Sequence, residues 1–313
     1  MTTQTLAELQ KHVQDDLVGG VAEDIITVSP IFDYIPFIPY EGTAVRVNRE
    51  NALGDAGLYA VGDTITHRSA STVTPVSFTA TKILGQVDLD GLVEAQSQSG
   101  GVDMAAHEIS SKAKSMGRIF QQGIATGAGS SPAMNSLHSL VDSEQYASAS
   151  SGRDLSFELL DELIDLVLAK DGQCDFLLAH RTVLRKFKTL YRALGGADPT
   201  TIILQLPNGQ QRTILTYEGI PFLRNDYLST AETANGAALT GGSKTSVYAG
   251  CFDDGSRKVG IAAIYPAGTA AGINVKQVGE SETKDEMIWR LSWYTNFVCF
   301  NRRGLARAAS INT

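Results

Sequence analysis

The stretch GAALTGGSKT, Gly236 to Thr245, contains the residue types that hold a nucleotide phosphate. In a phosphate-binding loop, glycine amides surround the phosphates, and a lysine directly after the last glycine places its ammonium on them. Here Gly242 and Ser243 lie between Gly241 and Lys244, so the amine does not have that position. The sequence therefore predicts a surface loop and no phosphate site.

Three other patterns resemble catalytic or metal-binding motifs but lack the required spacing. GAGSS around Ser130 lacks the G-x-S-x-G spacing of a nucleophile elbow. The His-Glu pair that begins at His107 lacks the second histidine of a zinc-binding helix. The Asp-Asp-Gly at Asp253 is too short for a calcium loop and predicts a turn. We therefore expect no catalytic residue, no metal site and no cofactor.

Cysteine spacing and chain composition exclude further classes of protein. Cys174, Cys251 and Cys299 suit neither a zinc site nor a disulfide framework, and their apolar neighbours predict buried free thiols. No run of about 18 apolar residues occurs, and the N-terminus has neither a basic start nor an apolar core, so we expect no membrane span and no signal peptide. With 313 residues, 43% of them apolar, the chain is long enough to bury a large core.

The sequence pattern predicts one long amphipathic helix. Apolar residues recur at steps of three and four, at Ala106, Ile109, Ala113, Met116, Phe120 and Ile124. This spacing predicts a helix from about Asp103 to Ala125, which Gly127 and Gly129 end. We interpret the helix as a structural support.

An extended hairpin is predicted before this helix. The Val45/Val47 alternation indicates a strand, Asn51 to Gly62 is a Gly/Ala-rich tip, and Val76/Phe78/Ala80 indicate the returning strand. Because a two-stranded projection is at best marginally stable alone, we expect it to lie on a neighbouring subunit. The alternative is a flexible surface hairpin in a monomer.

An α+β module follows a polar linker at Ser143 to Gly152. Periodicity predicts a helix from Leu155 to Lys170 with Ser156 as its N-cap, a buried strand at CDFLLA, and a second helix from Thr182 to Leu194. A hairpin with its turn at Asn208-Gly209 follows. Near the C-terminus one strand face is predicted to be core, through the alternating residues Trp289, Leu291, Trp293, Thr295 and Phe297, and the other to carry Arg290, Ser292, Tyr294 and Asn296.

Opposite charges mark the two helices of this module. The first carries Glu158, Asp161, Glu162 and Asp165, and the second carries Arg181, Arg185, Lys186, Lys188 and Arg192. Three interpretations remain open: two solvated faces, pairing of the helices within or between subunits, and contact of the basic helix with nucleic acid.

Several segments resemble, in order and spacing, the major capsid proteins of tailed bacteriophages, which have the Hong Kong 97-type fold. Ser29 to Glu50 resembles the N-arm that leads into the extended loop, and Ala60 to Ala95 resembles the returning strand of that loop. The long helix and its GAGSSPAMNSL ending resemble the spine helix and the turn after it. YEGIPFLRNDYL, VYAGCF and MIWRLSWYTNFVCFNRRGLARAASI resemble the later strands, so the likeness covers nearly the whole chain.

This resemblance implies an α+β fold with five parts. They are an N-arm at 1–40, an extended β-hairpin loop at 41–85, a peripheral domain with the spine helix at 86–131, an axial domain at 132–270, and return strands of the peripheral domain at 271–313. It also implies a non-enzymatic subunit whose hexamers and pentamers form an icosahedral shell around double-stranded DNA, assembled in the host cytoplasm as the virion capsid. The implied partners are other copies, a portal, a scaffold, a decoration or cement protein, and DNA contacted non-specifically.

Intersubunit contacts are expected on the hairpin and on the charged helices. The candidates are Asp55, Tyr59, Arg46, Arg68, Arg181, Arg185, Lys186, Glu158 and Asp161. An encapsulin-like compartment is the alternative within this fold, and a hydrolase with an unrecognised site is the alternative of another class. The long segment before Pro39 resembles a phage N-arm more than a cargo-docking helix and so argues against the compartment.

Net charge is consistent with a shell that an external motor fills. The chain has 26 Lys+Arg against 34 Asp+Glu, a net charge of −8. The first thirty residues carry five acids and one lysine, a net charge of −4 (1 − 5). An arm that condenses nucleic acid would be basic, so spontaneous genome condensation is disfavoured.

Overall fold

The computed structural model describes residues 31, 34–99, 104–147, 152–193, 201–205 and 211–313. The helices in these residues are α1 Gly91–Ser99, α2 Met104–Thr126, α3 Leu137–Leu140, α4 Phe157–Asp165 and α5 Arg181–Ala193. The strands are β1 Phe37–Tyr40, β2 Val45–Ala52, β3 Thr72–Phe78, β4 Thr81–Asp90, β5 Tyr146–Ala147, β6 Phe176–Ala179, β7 Thr201–Gln205, β8 Gln211–Tyr217, β9 Ile220–Arg224, β10 Lys244–Gly250, β11 Ile261–Pro266, β12 Asn274–Glu280, β13 Glu286–Cys299 and β14 Leu305–Asn312.

Strand β13 organises a five-stranded sheet. The order is β1-β11-β13-β12, and the fifth strand, β4, pairs antiparallel with β13 from Glu286↔Asp90 to Thr295↔Thr81. The predicted core face of β13 is confirmed, since Leu291, Trp293 and the residues at 295 and 297 are buried. Asn296 was predicted on the opposite face but is also buried, because its amide nitrogen donates to the Thr79 carbonyl at 2.7 Å and its amide oxygen accepts from a backbone amide.

The predicted long helix is α2, and both of its ends agree with the sequence to within one residue. Its 23 residues span about 35 Å at about 1.5 Å per residue. Met116, Phe120 and Ile124 are buried, and the Phe120 ring centroid lies 4.7 Å from that of Trp293 on β13. Ala106, at the other end of the stripe, is exposed, so only the second half of α2 packs fully on the sheet.

Glycines let the chain turn sharply at the end of α2. A Cβ at Gly127 would lie 2.4 Å from the Met134 carbonyl oxygen, so only glycine permits the returning chain to pass this closely. Gly129 has a φ of +72° and donates its N–H to the same carbonyl at 3.0 Å. The predicted end of the helix is therefore confirmed.

The second module is a seven-stranded sheet with the order β5-β14-β10-β6-β9-β8-β7. Its core is formed by α4, α5 and the central strands. Every residue of β6 is buried, as the sequence predicted for CDFLLA. The predicted hairpin strands β7 and β8 pair antiparallel, whereas the predicted turn at 208–209 lies outside the described residues, as do the residues before Ile31.

Two predicted boundaries in this module were wrong. Helix α4 ends at Asp165 instead of Lys170, because the amides of Leu168 and Ala169 leave the helix to donate to the Arg303 carbonyl. The predicted polar linker contains β5, which pairs in parallel with β14. The Ser156 N-cap is confirmed, since its hydroxyl accepts the Leu159 amide at 3.2 Å.

The cysteine and loop predictions are largely confirmed. Cys251 and Cys299 are buried free thiols, whereas Cys174 is partly exposed, and burial raises the pKa of these thiols to about 12, 12 and 11, respectively. The segment 236–245, which resembles a phosphate-binding loop, packs at Gly242 against the backbone of Glu232. Its last two residues begin β10. None of the helices in the described part of the chain has the length and hydropathy to cross a membrane.

Candidate assembly interface

The extended hairpin consists of β2 and β3, which form a sheet of their own. The strands pair from Val45↔Phe78 to Ala52↔Thr72, with a register shift after Glu50. Only the base is held in a core, where Val45 and Phe78 are buried against the end of β13. The outer strand residues are exposed on both faces, so the hairpin projects from the subunit as the sequence predicted.

Side-chain bonds give the tip, residues 53–71, a defined shape. Asp55 and His67 are joined across the tip by a 2.7 Å contact between Oδ2 and Nδ1. The Tyr59 hydroxyl accepts the amides of Thr66 and His67 at 3.0 and 2.9 Å. A Cβ at Gly57 would lie 2.4 Å from the His67 ring, so the ring packs on the glycine. The candidates Asp55 and Tyr59 therefore shape the tip from within.

The tip also exposes large apolar side chains. Leu58 and Val61 are fully exposed, Leu53 is 79% exposed, and Ile65 is 59% exposed. Several large apolar side chains exposed on one projection indicate a surface that another protein covers. Of the remaining hairpin candidates, Arg68 lies in the tip and donates its Nε–H to the Ile65 carbonyl, whereas Arg46 is exposed near the base of the hairpin, where it pairs with Ser77.

An apolar groove lies between β4 and the end of α2 of the same subunit. It has a volume of about 430 Å³ and contains Leu84, Ile119 and Met134 among its lining residues. Leu84 is 56% exposed and Ile119 is 49% exposed. The subunit therefore presents both a projecting apolar cluster and an apolar recess.

A second, larger groove lies under β2 and is lined by many cations. This groove, called the basic groove below, has a volume of about 1160 Å³ and lies between β2 and the turns at 256–258 and 301–303. Its charged lining residues are Arg46, Arg49, Arg257, Lys258, Arg302 and Arg303 against Glu41 and Glu50. The lining therefore carries a net charge of +4 (6 − 2) on a chain whose net charge is −8.

The charged helices do not pair with each other inside the subunit. Among the described residues, no ion pair joins the acids of α4 to the bases of α5. Glu162 pairs with Arg153 at 3.2 Å, and Asp161 accepts a hydrogen bond from the Tyr217 hydroxyl. Lys186 donates to the Asn312 carbonyl at 2.8 Å. The exposed candidates Glu158, Arg181 and Arg185 remain available for solvent or a neighbouring copy.

Sequence reasoning missed a buried ion pair that joins β14 to the loop before β10 in the seven-stranded module. Arg307 on β14 and Glu232 in the loop before β10 are 2% and 1% exposed, and their nearest charged atoms are 3.1 Å apart. The Arg307 guanidinium also donates to the Ser246 hydroxyl and to the Gly236 carbonyl. Its Cζ also lies over the rings of Tyr146 and Tyr248, at 5.1 and 5.7 Å from their centroids. The sequence signal that could have indicated this pair is an arginine, Arg307, among the apolar residues of β14.

His138 on α3 completes this cluster. Its Nδ1 accepts a hydrogen bond from Arg307 Nη1 at 2.6 Å, which requires the neutral imidazole. Burial, followed by the nearby Arg307 charge, lowers the pKa of His138. Burial raises the pKa of Glu232, which opposes the effect of its arginine partner.

We expect acidification to destabilise the subunit through His138. The pKa of His138 in the folded chain is below the unfolded value of about 6.5, so the unfolded chain takes up this proton more readily. The contribution is fully present above about pH 6.5 and is lost as the pH falls through the folded pKa. Urea-unfolding midpoints at neutral and acidic pH should therefore differ less for His138→Gln than for the unmodified chain. Equal differences in the two proteins would contradict this assignment.

Solved structures share this architecture over the whole chain. No protein-family model matches the sequence, and no curated protein matches it by sequence. The SrpI encapsulin of Synechococcus elongatus PCC 7942 is similar with a TM-score of 0.71 and 17% identity, covering 100% of this chain and 97% of that one. The capsid protein of cyanophage A-1(L) has a TM-score of 0.71 and 11% identity, with coverage of 99% and 100%.

The capsid of a native GTA particle is a third similar structure, with a TM-score of 0.68, 8% identity and complete coverage of both chains. The similar proteins are structural shell proteins, and the chain has their α+β architecture. The fold is therefore the Hong Kong 97-type capsid fold that the sequence resemblance implied.

Proposed function

We propose that this chain is the major capsid protein of a tailed bacteriophage. Its copies form hexamers and pentamers of an icosahedral shell, which is assembled in the host cytoplasm and encloses double-stranded DNA. The observation that carries the proposal is the hairpin, whose apolar tip has no covering surface among the described residues of its own subunit. Assembly would bury this surface and stabilise the shell.

The apolar groove beside α2 is the surface we assign to the tip of a neighbouring copy. The tip offers Leu58 and Val61, and the recess offers Leu84 and Ile119, so both sides lose apolar exposure on contact. Since each subunit carries one tip and one recess, the contact is heterologous and can close into a ring. We also assign Glu158, Asp161, Arg181 and Arg185 to contacts between axial modules.

The proposed parts of the subunit start from the sequence divisions. The N-arm is 1–40, the extended loop is 41–85, the peripheral domain is 86–131 with 271–313, and the axial domain is 132–270. Two strands cross these divisions, since β11 pairs with β13 in the five-stranded sheet and β14 pairs with β10 in the seven-stranded sheet. A portal, a scaffold and a decoration or cement protein are the further partners we propose. DNA would be contacted through its backbone without sequence preference.

An encapsulin-like compartment is the second candidate function. The observation in its favour is the likeness to the SrpI encapsulin, with its TM-score of 0.71 and 17% identity. Both candidates predict a closed shell of identical subunits, so the contents of the shell distinguish them.

Electron microscopy of the purified protein tests the proposal. We expect capsomers or closed shells when the chain is expressed alone or with a scaffold. Double-stranded DNA in particles from infected cells would support the phage capsid, whereas an enclosed enzyme would support the compartment. A folded chain that stays monomeric over a range of salt and crowding conditions would contradict both.

We expect the mature shell to lack the covalent cross-links that characterise the namesake of this fold. That chemistry joins a lysine of the extended loop to an asparagine of a neighbour, and no lysine occurs between His12 and Thr81. Arginine remains protonated and cannot replace the lysine as a nucleophile. Lys82 lies in β4, beside Tyr294, at the base of the hairpin. Denaturing electrophoresis of mature heads should give one band near 33.4 kDa, and a ladder that survives boiling and reductant would contradict the prediction.

A further inference from the structure

A lysine, an asparagine and an aspartate meet where β10 begins and β14 ends, beside the segment before α4. The Lys244 Nζ donates a hydrogen bond to the side-chain oxygen of Asn312, and the Asn312 Nδ2 donates to Oδ1 of Asp154 at 2.7 Å. The amide of Asn312 therefore has an amine on its oxygen and a carboxylate on its nitrogen. A nucleophile, an electrophilic carbonyl carbon and a proton acceptor are the groups that formation of a new amide bond requires.

The main chain holds both the lysine and the asparagine in place. Lys244 exchanges two backbone hydrogen bonds with Glu232, at 2.9 and 3.1 Å, and it is the register partner of Asn312. The backbone N–H of Asn312 donates to the Arg153 carbonyl at 2.9 Å, and the Asn312 carbonyl accepts from the Lys186 Nζ at 2.8 Å. Because the two groups are ordered before any reaction, bond formation loses less entropy than it would between free side chains.

A glycine leaves room for the close approach of these two side chains. A Cβ at Gly152 would lie 2.8 Å from the Lys244 Cε, 3.0 Å from its Nζ and 3.1 Å from the Asn312 Oδ1. The φ of Gly152 is +89°, in the region that glycine adopts without strain. Because the C=O bond is only about 1.23 Å long, a nitrogen in contact with the amide oxygen is also close to the amide carbon. Small rotations of the lysine side chain therefore bring Nζ onto this carbon.

A bulge in β14 immediately precedes Asn312. The register of the two strands shifts between Thr245 and Val247, where β14 contains one residue more than β10. Ser310 lies in this bulge with a φ of +63°, a conformation that is uncommon for residues other than glycine. The extra residue sets which face of the strand the Asn312 side chain occupies. Bulges and strained residues are both enriched at functional sites, where they redirect a side chain.

We propose that the Lys244 amine reacts with the side-chain amide of Asn312 to form an isopeptide bond within the subunit, with Asp154 as the proton acceptor. The neutral Nζ adds to the amide carbon, and a proton of Nζ then passes through the Asp154 carboxylate to Nδ2. The bond from Nζ to the amide carbon forms, the bond from this carbon to Nδ2 breaks, and Nδ2 leaves as ammonia. No atom is oxidised or reduced, and the step needs no co-reactant.

The isopeptide bond fixes the end of β14 to the start of β10, at residues that are 68 positions apart in sequence. It closes a long loop covalently, which restricts the unfolded chain and so raises the urea-unfolding midpoint of the subunit. The bond lies within one chain, so it is distinct from cross-links between subunits and leaves a single band near 33.4 kDa. The inference goes beyond the proposed shell function and can be tested on the unassembled chain.

Tryptic mapping of the purified full-length chain by mass spectrometry tests the proposal. Trypsin cleaves after a lysine only when its amine is free, so the bond removes the cleavage site at Lys244. We expect one branched peptide in which residues 225–257 are joined to residues 308–313, with a mass one ammonia below the sum of the two peptides.

Three variants should lose the branched peptide, in whole or in part. Lys244→Arg keeps the positive charge, but its guanidinium remains protonated and cannot attack, so the peptides should be unlinked. Asn312→Ala removes the electrophile and should also give unlinked peptides. Asp154→Asn removes the proton acceptor and should lower the linked fraction in freshly purified protein by about tenfold. Circular dichroism checks that each variant is folded.

The matched control is Lys186→Arg. Lys186 contacts the main-chain carbonyl of Asn312 and not its side chain, so this variant should keep the branched peptide, and its loss would overturn the assignment of Lys244 as the amine.

Two results for the unmodified chain would overturn the inference. One is the recovery of unlinked peptides at full mass, which would leave the three side chains as a hydrogen-bond network. The other is a loss of ammonia with unlinked peptides, which would indicate a succinimide at Asn312. Undiminished linkage in Asp154→Asn would overturn the role of Asp154. The peptide map does not depend on assembly, so failure of the chain to form shells would contradict the proposed function alone.

Discussion

Replacing Leu58 and Val61 by aspartate should leave the subunit folded and abolish its assembly into shells. Both side chains are fully exposed in the isolated subunit, so the substitutions remove no internal packing. In the proposed contact each residue is buried against a neighbour, which contributes about 1.5–3 kcal/mol per large apolar side chain. An unpaired carboxylate at the same place adds a desolvation cost of several kcal/mol. The same loss of contact free energy recurs at every subunit of the shell.

Sizing chromatography and electron microscopy measure the assembly of this variant, and circular dichroism with urea unfolding measures its fold. The matched control is Leu58→Met with Val61→Ile, which keeps both positions apolar and should form shells. Shells formed by the aspartate variant with the yield of the unmodified chain would remove the tip from the assembly contacts.

Replacing Arg307 by alanine should destabilise the seven-stranded module by about 3–5 kcal/mol, because Glu232 would become a buried, unpaired carboxylate. The substitution also leaves Ser246 and His138 without one hydrogen-bond partner each. It further removes the cation that lies over the rings of Tyr146 and Tyr248. Urea unfolding of the subunit monitored by circular dichroism gives the change in free energy.

A double variant separates the charge effect from the packing effect. Arg307→Met combined with Glu232→Gln leaves no charge at either position and should recover much of the stability that Arg307→Ala loses. Arg303→Ala serves as the matched control, since the Arg303 side chain is exposed and its replacement should change the unfolding free energy by less than about 0.5 kcal/mol. An Arg307→Ala variant as stable as the Arg303→Ala control would show that the buried pair contributes little.

The sequence alone determined those elements whose buried face follows from the local spacing of apolar residues. Helix α2 was predicted to within one residue because its apolar stripe and its terminal glycines are both local signals. The core face of β13 and the Ser156 cap were predicted for the same reason. In each case the spacing of side chains along the backbone decides which face is buried.

The hairpin illustrates the limit of such prediction. Its strands follow from the alternation of apolar residues at Val45 and Val47 and at Val76 and Phe78, and its tip follows from the Gly/Ala-rich stretch between the two strands. The bonds that shape the tip do not follow, because Asp55 and His67 are twelve residues apart and meet only when the chain folds back on itself. No local pattern indicates which side chains meet across such a turn.

Tertiary structure alone decided the end of α4, the burial of Asn296 and the Arg307 cluster. Leu168 leaves the helix because a carbonyl at Arg303 is available, and Asn296 is buried because its amide finds partners in two distant segments. Arg307 and Glu232 are 75 residues apart in sequence, and their burial is tolerated only because each satisfies the other. The charge of the basic groove likewise arises from three separate turns and strands. Periodicity determines which face of an element is buried, but only the packing of distant segments determines which polar groups can be buried together.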